Sequence, residues 1–181
     1  MSTQRIAIRY ATPLLELALE QGIEDKVKSD MEAFSKLCDE NREFLLMLSS
    51  PVIPHLRKAG IIQKIFDGKV QKLTSKFFEV IVKKNREGVL PFVAGEFLSL
   101  YNAQKGLQEA TVTTSFAINK AMKKEFESLV KKLSGKDPIL KEEVNPDIIG
   151  GFELTIGDRK LDASVSGQLR ALKLKFSKEN N

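Results

Sequence analysis

Residues 106–115 read Gly-Leu-Gln-Glu-Ala-Thr-Val-Thr-Thr-Ser, and the character of the chain changes there. From Gln108 to Ser115 the stretch is rich in Thr and Val, with Ala110, Val112 and Thr114 on one face at the two-residue period of a strand. Behind Gly106 the chain reads almost entirely as helix, broken by Gly and Pro; beyond it, strand and helix patterns alternate. The expected division is a helical domain over residues 1–105 and a smaller mixed domain over 106–181. A chain of 181 residues is long enough for one domain or two small ones.

Upstream, six helical segments emerge: Thr3 to Glu20, Glu24 to Asp39, Asn41 to Ser49, Pro54 to Phe66, Val70 to Arg86 and Leu90 to Gln104. In the second, Val27, Met31, Phe34 and Cys38 recur at the spacing of a buried helix face. Cys38 is thereby expected in the core, with no basic partner in view for its thiol. The short connections favour a compact bundle. Downstream of the Thr-rich strand, a helix carries Ile118, Met122, Phe126, Leu129, Val130 and Leu133 on one side and ends near Gly135. Strands are expected at Ile139 to Val144, Ile148 to Ile156 and Arg159 to Leu161, the last two joined by a Gly157-Asp158 hairpin turn. Asp162 or Ser164 then caps a last helix with Val165, Leu169, Leu172 and Phe176 at helical spacing, and Ser177 to Asn181 is expected to fray. The fold class is α+β, a six-helix N-terminal bundle followed by a small α/β domain.

Composition narrows the chemistry. One His and one Cys exclude a zinc site built from those ligands, a disulfide framework and a Cys-x-x-Cys redox pair. No signal peptide is expected, and no uncharged apolar run reaches the 18 residues that suggest a membrane span. The net charge of +5 raises nucleic acid as a partner. However, residues 1–105 carry 16 basic and 13 acidic side chains and residues 106–181 carry 13 and 11, interleaved, so there is no basic pole. Lys83-Lys84-Asn85-Arg86, Lys123-Lys124 and Lys131-Lys132 read as solvated helix faces. Gly150-Gly151 leads into a strand rather than a helix, which argues for a bulge or a tight strand entry over a phosphate loop. Asp147, Asp158 and Asp162 lack a ligand spacing and fit turns and caps. His55, at the start of a helix, has no catalytic partner pattern around it. No catalytic residue, cofactor site or metal site is expected.

Two apolar faces are wider than an ordinary surface helix needs, which is a stripe of about 100°. At about 100° per residue, Val70, Leu73, Phe77, Phe78, Val80, Ile81 and Val82 span about 200° of the fifth segment. Residues from Ile6 through Leu19 span about 240° of the first, leaving Arg5, Arg9, Glu16 and Glu20 as a narrow polar ridge. Either these helices pack on two sides, or part of each face is a groove for a partner's amphipathic helix; both can hold together. Pro13 adds a constraint, since a helix-interior proline costs about 3 kcal/mol. Either the first helix is kinked near Arg9, or a new helix starts at Pro13 with Thr12 as its cap.

Several motifs resemble those of the delta subunit family of the F-type ATP synthase, the family that includes the mitochondrial oligomycin-sensitivity conferral protein. Arg9-Tyr10-Ala11 with Leu14 and Ala18 is similar to the family's opening helix, with Pro13 where a small residue is more usual. Leu48-x-x-Pro51 followed by Lys58, Ile61 and Ile62, and Thr74 with Phe77 and Asn85-Arg86, resemble its later helices. The most specific match is Val144-Asn145-Pro146-Asp147-Ile148-Ile149-Gly150-Gly151, then Ile156-Gly157-Asp158 and Asp162-Ala163-Ser164-Val165, with Asn145 in place of a commoner aspartate.

The resemblance implies a non-catalytic stator component, peripheral at the cytoplasmic face of a bacterial inner membrane. It would act as a monomer, one copy per complex, without cofactors or nucleic acid and linked to the membrane only through the complex. It implies that the N-terminal domain binds N-terminal helices of the alpha subunits, and that the C-terminal domain holds the peripheral-stalk b subunits against rotor torque. Tyr10, Ala11, Leu14, Leu15, Phe78 and Val82 are the expected walls of the alpha-subunit groove. Ile149, Phe152, Val165 and Leu169 are the expected b-subunit contacts. A small basic RNA-binding protein and a generic helical adaptor are the alternatives.

Overall fold

The computed structural model describes residues 3–179 and mixes helices with one four-stranded sheet, an α+β protein. It divides into two compact units, Met1–Tyr101 and Asn102–Asn181, a boundary a few residues ahead of the Gly106 position read from the pattern change.

The first unit contains α1 (Thr3–Glu20), α2 (Glu24–Glu40), α3 (Arg42–Ser49), α4 (His55–Phe66), α5 (Lys72–Lys83), a 3₁₀ turn (Glu87–Val89) and most of α6 (Leu90–Gln104). Helix α1 is continuous through Pro13, so no new helix starts there. Pro13 and Arg9 both lie on exposed positions, where water can satisfy the carbonyl that proline leaves unpaired. Asn41 caps α3, its side-chain oxygen accepting from the Phe44 N–H at 3.0 Å.

Helix α5 is shorter than the Val70 to Arg86 expectation at both ends. Its start is set from outside: the buried carboxylate of Asp30, on α2, accepts from the Gln71 N–H at 2.8 Å and from the Thr74 hydroxyl at 2.6 Å. That anion sits among the unpaired N–H groups of a first turn, where it is most stabilising. At the other end, Asn85 takes a left-handed φ of +54° and the Arg86 N–H returns to the Ile81 carbonyl, which closes the helix. The core gathers around Phe34, fully buried, with ring centroids 6.0 Å from Phe44, 5.6 Å from Phe66 and 5.2 Å from Phe78.

The second unit runs β1 (Leu107–Thr114), α7 (Lys120–Ser134), β2 (Asp137–Val144), β3 (Phe152–Ile156), β4 (Arg159–Asp162) and α8 (Val165–Glu179). Strand order is β2-β1-β3-β4; β1 and β2 are parallel, joined by the α7 crossover, and the other pairings are antiparallel. Ala110, Val112 and Leu154 meet Phe126 and Val130 of α7 in the core, with Thr114 also buried on the inward face of β1. Helix α7 begins at an Asn119 cap and stops at Gly135, which has φ +70°.

Strand β3 starts at Phe152, four residues later than the pattern suggests. Ile148 closes a turn onto the Asn145 carbonyl, and Gly151 has φ +82°. A Cβ on Gly151 would lie 2.3 Å from the Ala163 carbonyl oxygen, so the Gly150-Gly151 pair serves a close passage of two backbones. Ser164 caps α8, its hydroxyl oxygen accepting from the Gly167 N–H at 3.0 Å. The expected fraying of the tail falls partly on residues 180 and 181, outside the described residues. Gly151→Ala is expected to destabilise the second unit by about 2–3 kcal/mol, read as a lower urea midpoint at unchanged m-value.

Candidate functional site

Among the described residues no cluster of His, Cys, Asp and Glu is placed to hold a metal ion, and no helix is long and apolar enough to cross a membrane. Burial, reinforced by the Asp39 charge, pushes the Cys38 thiol up to about 11, which suppresses its thiolate at neutral pH. His55 is exposed at the first residue of α4. The features that remain are surfaces.

On α1, Ala7, Ala11, Leu14, Leu15 and Ala18 face the core. Ala11, Leu14 and Leu15, expected as groove walls, thus lie on the buried side, because the core takes the arc centred on the alanines. Tyr10 is half-buried. It belongs to a second stripe with Ile6, Pro13 and Leu17, at i, i+4, i+7 and i+11, all exposed or half-buried. Helix α5 repeats the arrangement. Phe78, Ile81 and Val82 are buried, whereas Leu73 and Phe77 are half-buried and Val80 is exposed on the other side. So Phe78 and Val82 are inward residues as well, and the surplus apolar arc noted in the sequence is an outward stripe on each helix.

Phe78 and Val82 do reach one opening. A cleft of about 300 Å³ between α4 and α5 is lined by Leu56, Ala59, Ile62, Phe66, Phe78 and Val82, with Gln63, Glu79 and Lys83 among its polar residues. A second cleft, near the α3–α4 passage, contains an ion pair that the sequence reading missed. Lys58 Nζ lies 2.7 Å from Glu87 Oε1, with side chains only 5% and 7% exposed, and also donates to the Leu48 carbonyl at 2.9 Å. One lysine thus ties α3, α4 and the 3₁₀ turn together. Its sequence signals were Lys58 on the same side of α4 as Ile62, at i and i+4, and the place of Lys58 in the family-like motif after Pro51.

In the second unit Ile149 is 84% exposed, Val165 42% and Leu169 61%, and Leu172 extends the α8 stripe at 48%. Phe152 differs from the expectation for it: its ring packs edge-on against Phe126 at 4.9 Å, part of the interior between β3 and α7. Inward alternation along β3 accounts for this. Beside α8, hydrogen bonds from Ser164 to the exposed Asp162 carboxylate, with weaker help from Arg170 and Lys160, hold that carboxyl below its usual range. On the opposite side of the unit, a hydrogen bond to Glu142 pushes the exposed Lys123 ammonium up.

A family profile described as "ATP synthase delta (OSCP) subunit" matches residues 6–176. The chain belongs to this family. It is 36% identical over 177 residues to the ATP synthase subunit delta of Amoebophilus asiaticus, a span covering 97% of this chain and 96% of the relative. It is 35% identical over 172 residues to that of Christiangramia forsetii, covering 95% and 93%. Its fold is similar to a chain in the cryo-EM structure of the Toxoplasma gondii mitochondrial ATP synthase hexamer, with a TM-score of 0.75 at 24% identity, covering 94% of this chain and 96% of that one. The protein is thus a non-catalytic stator subunit of the F-type ATP synthase, and the RNA-binding and generic-adaptor alternatives lack support.

Three variants test the polar ties. Lys58→Met strands the Glu87 carboxylate in a dry site and is expected to destabilise by about 3–5 kcal/mol, whereas adding Glu87→Leu restores most of that loss, both measured by urea unfolding. Ser164→Ala removes the main donors' hydroxyl to Asp162, and NMR titration is expected to show the Asp162 carboxyl moving back up toward the ordinary carboxylate range.

Proposed function

We propose that the first unit, taken as the family's six-helix bundle, grips the N-terminal helices of the ATP synthase alpha subunits. The second unit holds the b subunits, so that the catalytic head is braced against the rotor. The observation that carries this reading is the doubled apolar surface. Helices α1 and α5 each bury one stripe and present another, Ile6-Tyr10-Pro13-Leu17 and Leu73-Phe77-Val80. Tyr10, Leu73 and Phe77 lean against the core, but the exposed remainder, Pro13, Leu17 and Val80, suits an amphipathic partner helix. In the second unit, Ile149, Val165 and Leu169 supply exposed apolar surface next to the α8 cap. The subunit then serves as one copy per complex, peripheral at the cytoplasmic face of the membrane and attached to it only through its partners.

Val80 is exposed and Phe77 half-buried beside Phe78, so retention of the native fold is checked alongside binding. Phe77→Glu with Val80→Asp is expected to weaken binding of an alpha-subunit N-terminal peptide about tenfold or more, by calorimetry, with native circular dichroism. Unchanged affinity in that folded variant rejects the α5 stripe, and loss in Leu56→Glu alone moves the site to the α4–α5 cleft. Leu169→Asp in the full chain is expected to abolish capture of the b subunit while leaving peptide binding intact. Retained b binding rejects the division of labour.

A further inference from the structure

Helices α4 and α5 are consecutive, joined through residues 67–71, and a connection that short makes them antiparallel neighbours. On the facing sides, α4 offers Leu56, Ala59, Ile62 and Phe66, and α5 offers Ser75, Phe78 and Val82, each set at three- and four-residue steps. Ala59 is where the pair comes apart. Its methyl group leaves space that a leucine there would fill, and a cleft of about 300 Å³ remains. The lining is apolar and ordered by packing: Phe66 and Phe78, with ring centroids 5.5 Å apart, are buried, as are Ile62 and Val82. An apolar cavity of about 150 Å³ suffices for one benzene ring, so this cleft has room for two fused rings.

Charge is uneven along the cleft. Asp67 and Ser75 mark the end where α4 stops and α5 starts, and Glu79 follows one turn further along α5. Both carboxylates are exposed, and neither has an ion-pair or hydrogen-bond partner among the described residues. Lys83 stands at the opposite end, about 12 Å beyond Ser75 along the helix axis. We propose that the cleft is a binding site for a small, planar, apolar molecule with one cationic group, its rings against Phe66 and Phe78 and its cation toward Asp67 and Glu79. An apolar lining with a few polar groups that fix orientation is the make-up of small-molecule sites. Carboxylates at the rim of a low-dielectric cleft concentrate cations there and repel anions. At about 100° per residue, Ser75, Phe78, Glu79 and Val82 share one side of α5, and the outward stripe of Leu73, Phe77 and Val80 lies on the other. The cleft is therefore separate from that stripe.

Three probes of similar shape and different charge test this on the full chain: naphthylmethylamine as the cation, naphthylmethanol as the neutral form and naphthylacetate as the anion. Binding is followed by NMR amide shifts at about 50 mM NaCl. The amine is expected to bind with a Kd of about 1 mM or less, about tenfold tighter than naphthylacetate, with the alcohol between them. Its shifts are expected to centre on Ala59, Ile62, Phe78 and Val82. Asp67→Asn with Glu79→Gln is expected to lower the amine to the affinity of the alcohol. Ala59→Leu is expected to abolish binding of all three, with native circular dichroism. Absence of amine binding, or equal affinity for the amine and naphthylacetate, overturns the proposal, and so does unchanged binding in folded Ala59→Leu. An alpha-subunit N-terminal peptide that displaces the amine assigns the cleft to a partner helix, which overturns the small-molecule site and leaves the stator reading standing.

Discussion

The first unit is organised by the burial of Phe34. Four rings from four successive helices converge there, Phe34 from α2, Phe44 from α3, Phe66 from α4 and Phe78 from α5. Aromatic side chains bring the largest apolar area per residue to a core, and clustered rings add a directional preference. Because Phe78 must point inward, the rotation of α5 about its own axis is decided. Ile81 and Val82 follow it in, and Leu73, Phe77 and Val80 are left on the far side. The outward apolar stripe is a geometric remainder of how the core is filled.

Polar ties make that rotation hard to change. Asp30 anchors the first turn of α5 through two hydrogen bonds, and Lys58 joins α3, α4 and the 3₁₀ turn through a carbonyl and a carboxylate. Neither tie adds much net stability, since desolvation offsets a large share of the attraction. Each penalises alternative arrangements, because a slipped helix would leave a buried charge alone. For a subunit that transmits force without chemistry, definite geometry at the surface matters more than a reactive group within it.

Much of this could be read from residues alone, for identifiable reasons. Helices α1 and α6 have the bounds their periodicity predicts, and the alternation of Ala110, Val112 and Thr114 correctly marks the inward face of β1. What periodicity cannot say is which part of a wide apolar arc turns inward; that depends on neighbours such as Phe34, distant in sequence. Leu14 and Val82 therefore looked like candidate groove walls and lie inside. Strand β3 began late because the left-handed Gly151 answers to the Ala163 backbone, a contact across a turn and a strand pair.

Cys38 carries a practical consequence. It is the sole cysteine of the chain, buried on the inward face of α2 with a thiol pushed up to about 11. Burial and a suppressed thiolate therefore make it a poor nucleophile toward thiol-directed electrophiles in the native state. A thiol introduced at any exposed position would be the single reactive handle on the molecule, with no background to remove first. A bifunctional reagent on such handles, moved residue by residue along α5 or α8, would map where neighbouring subunits rest inside an assembled synthase.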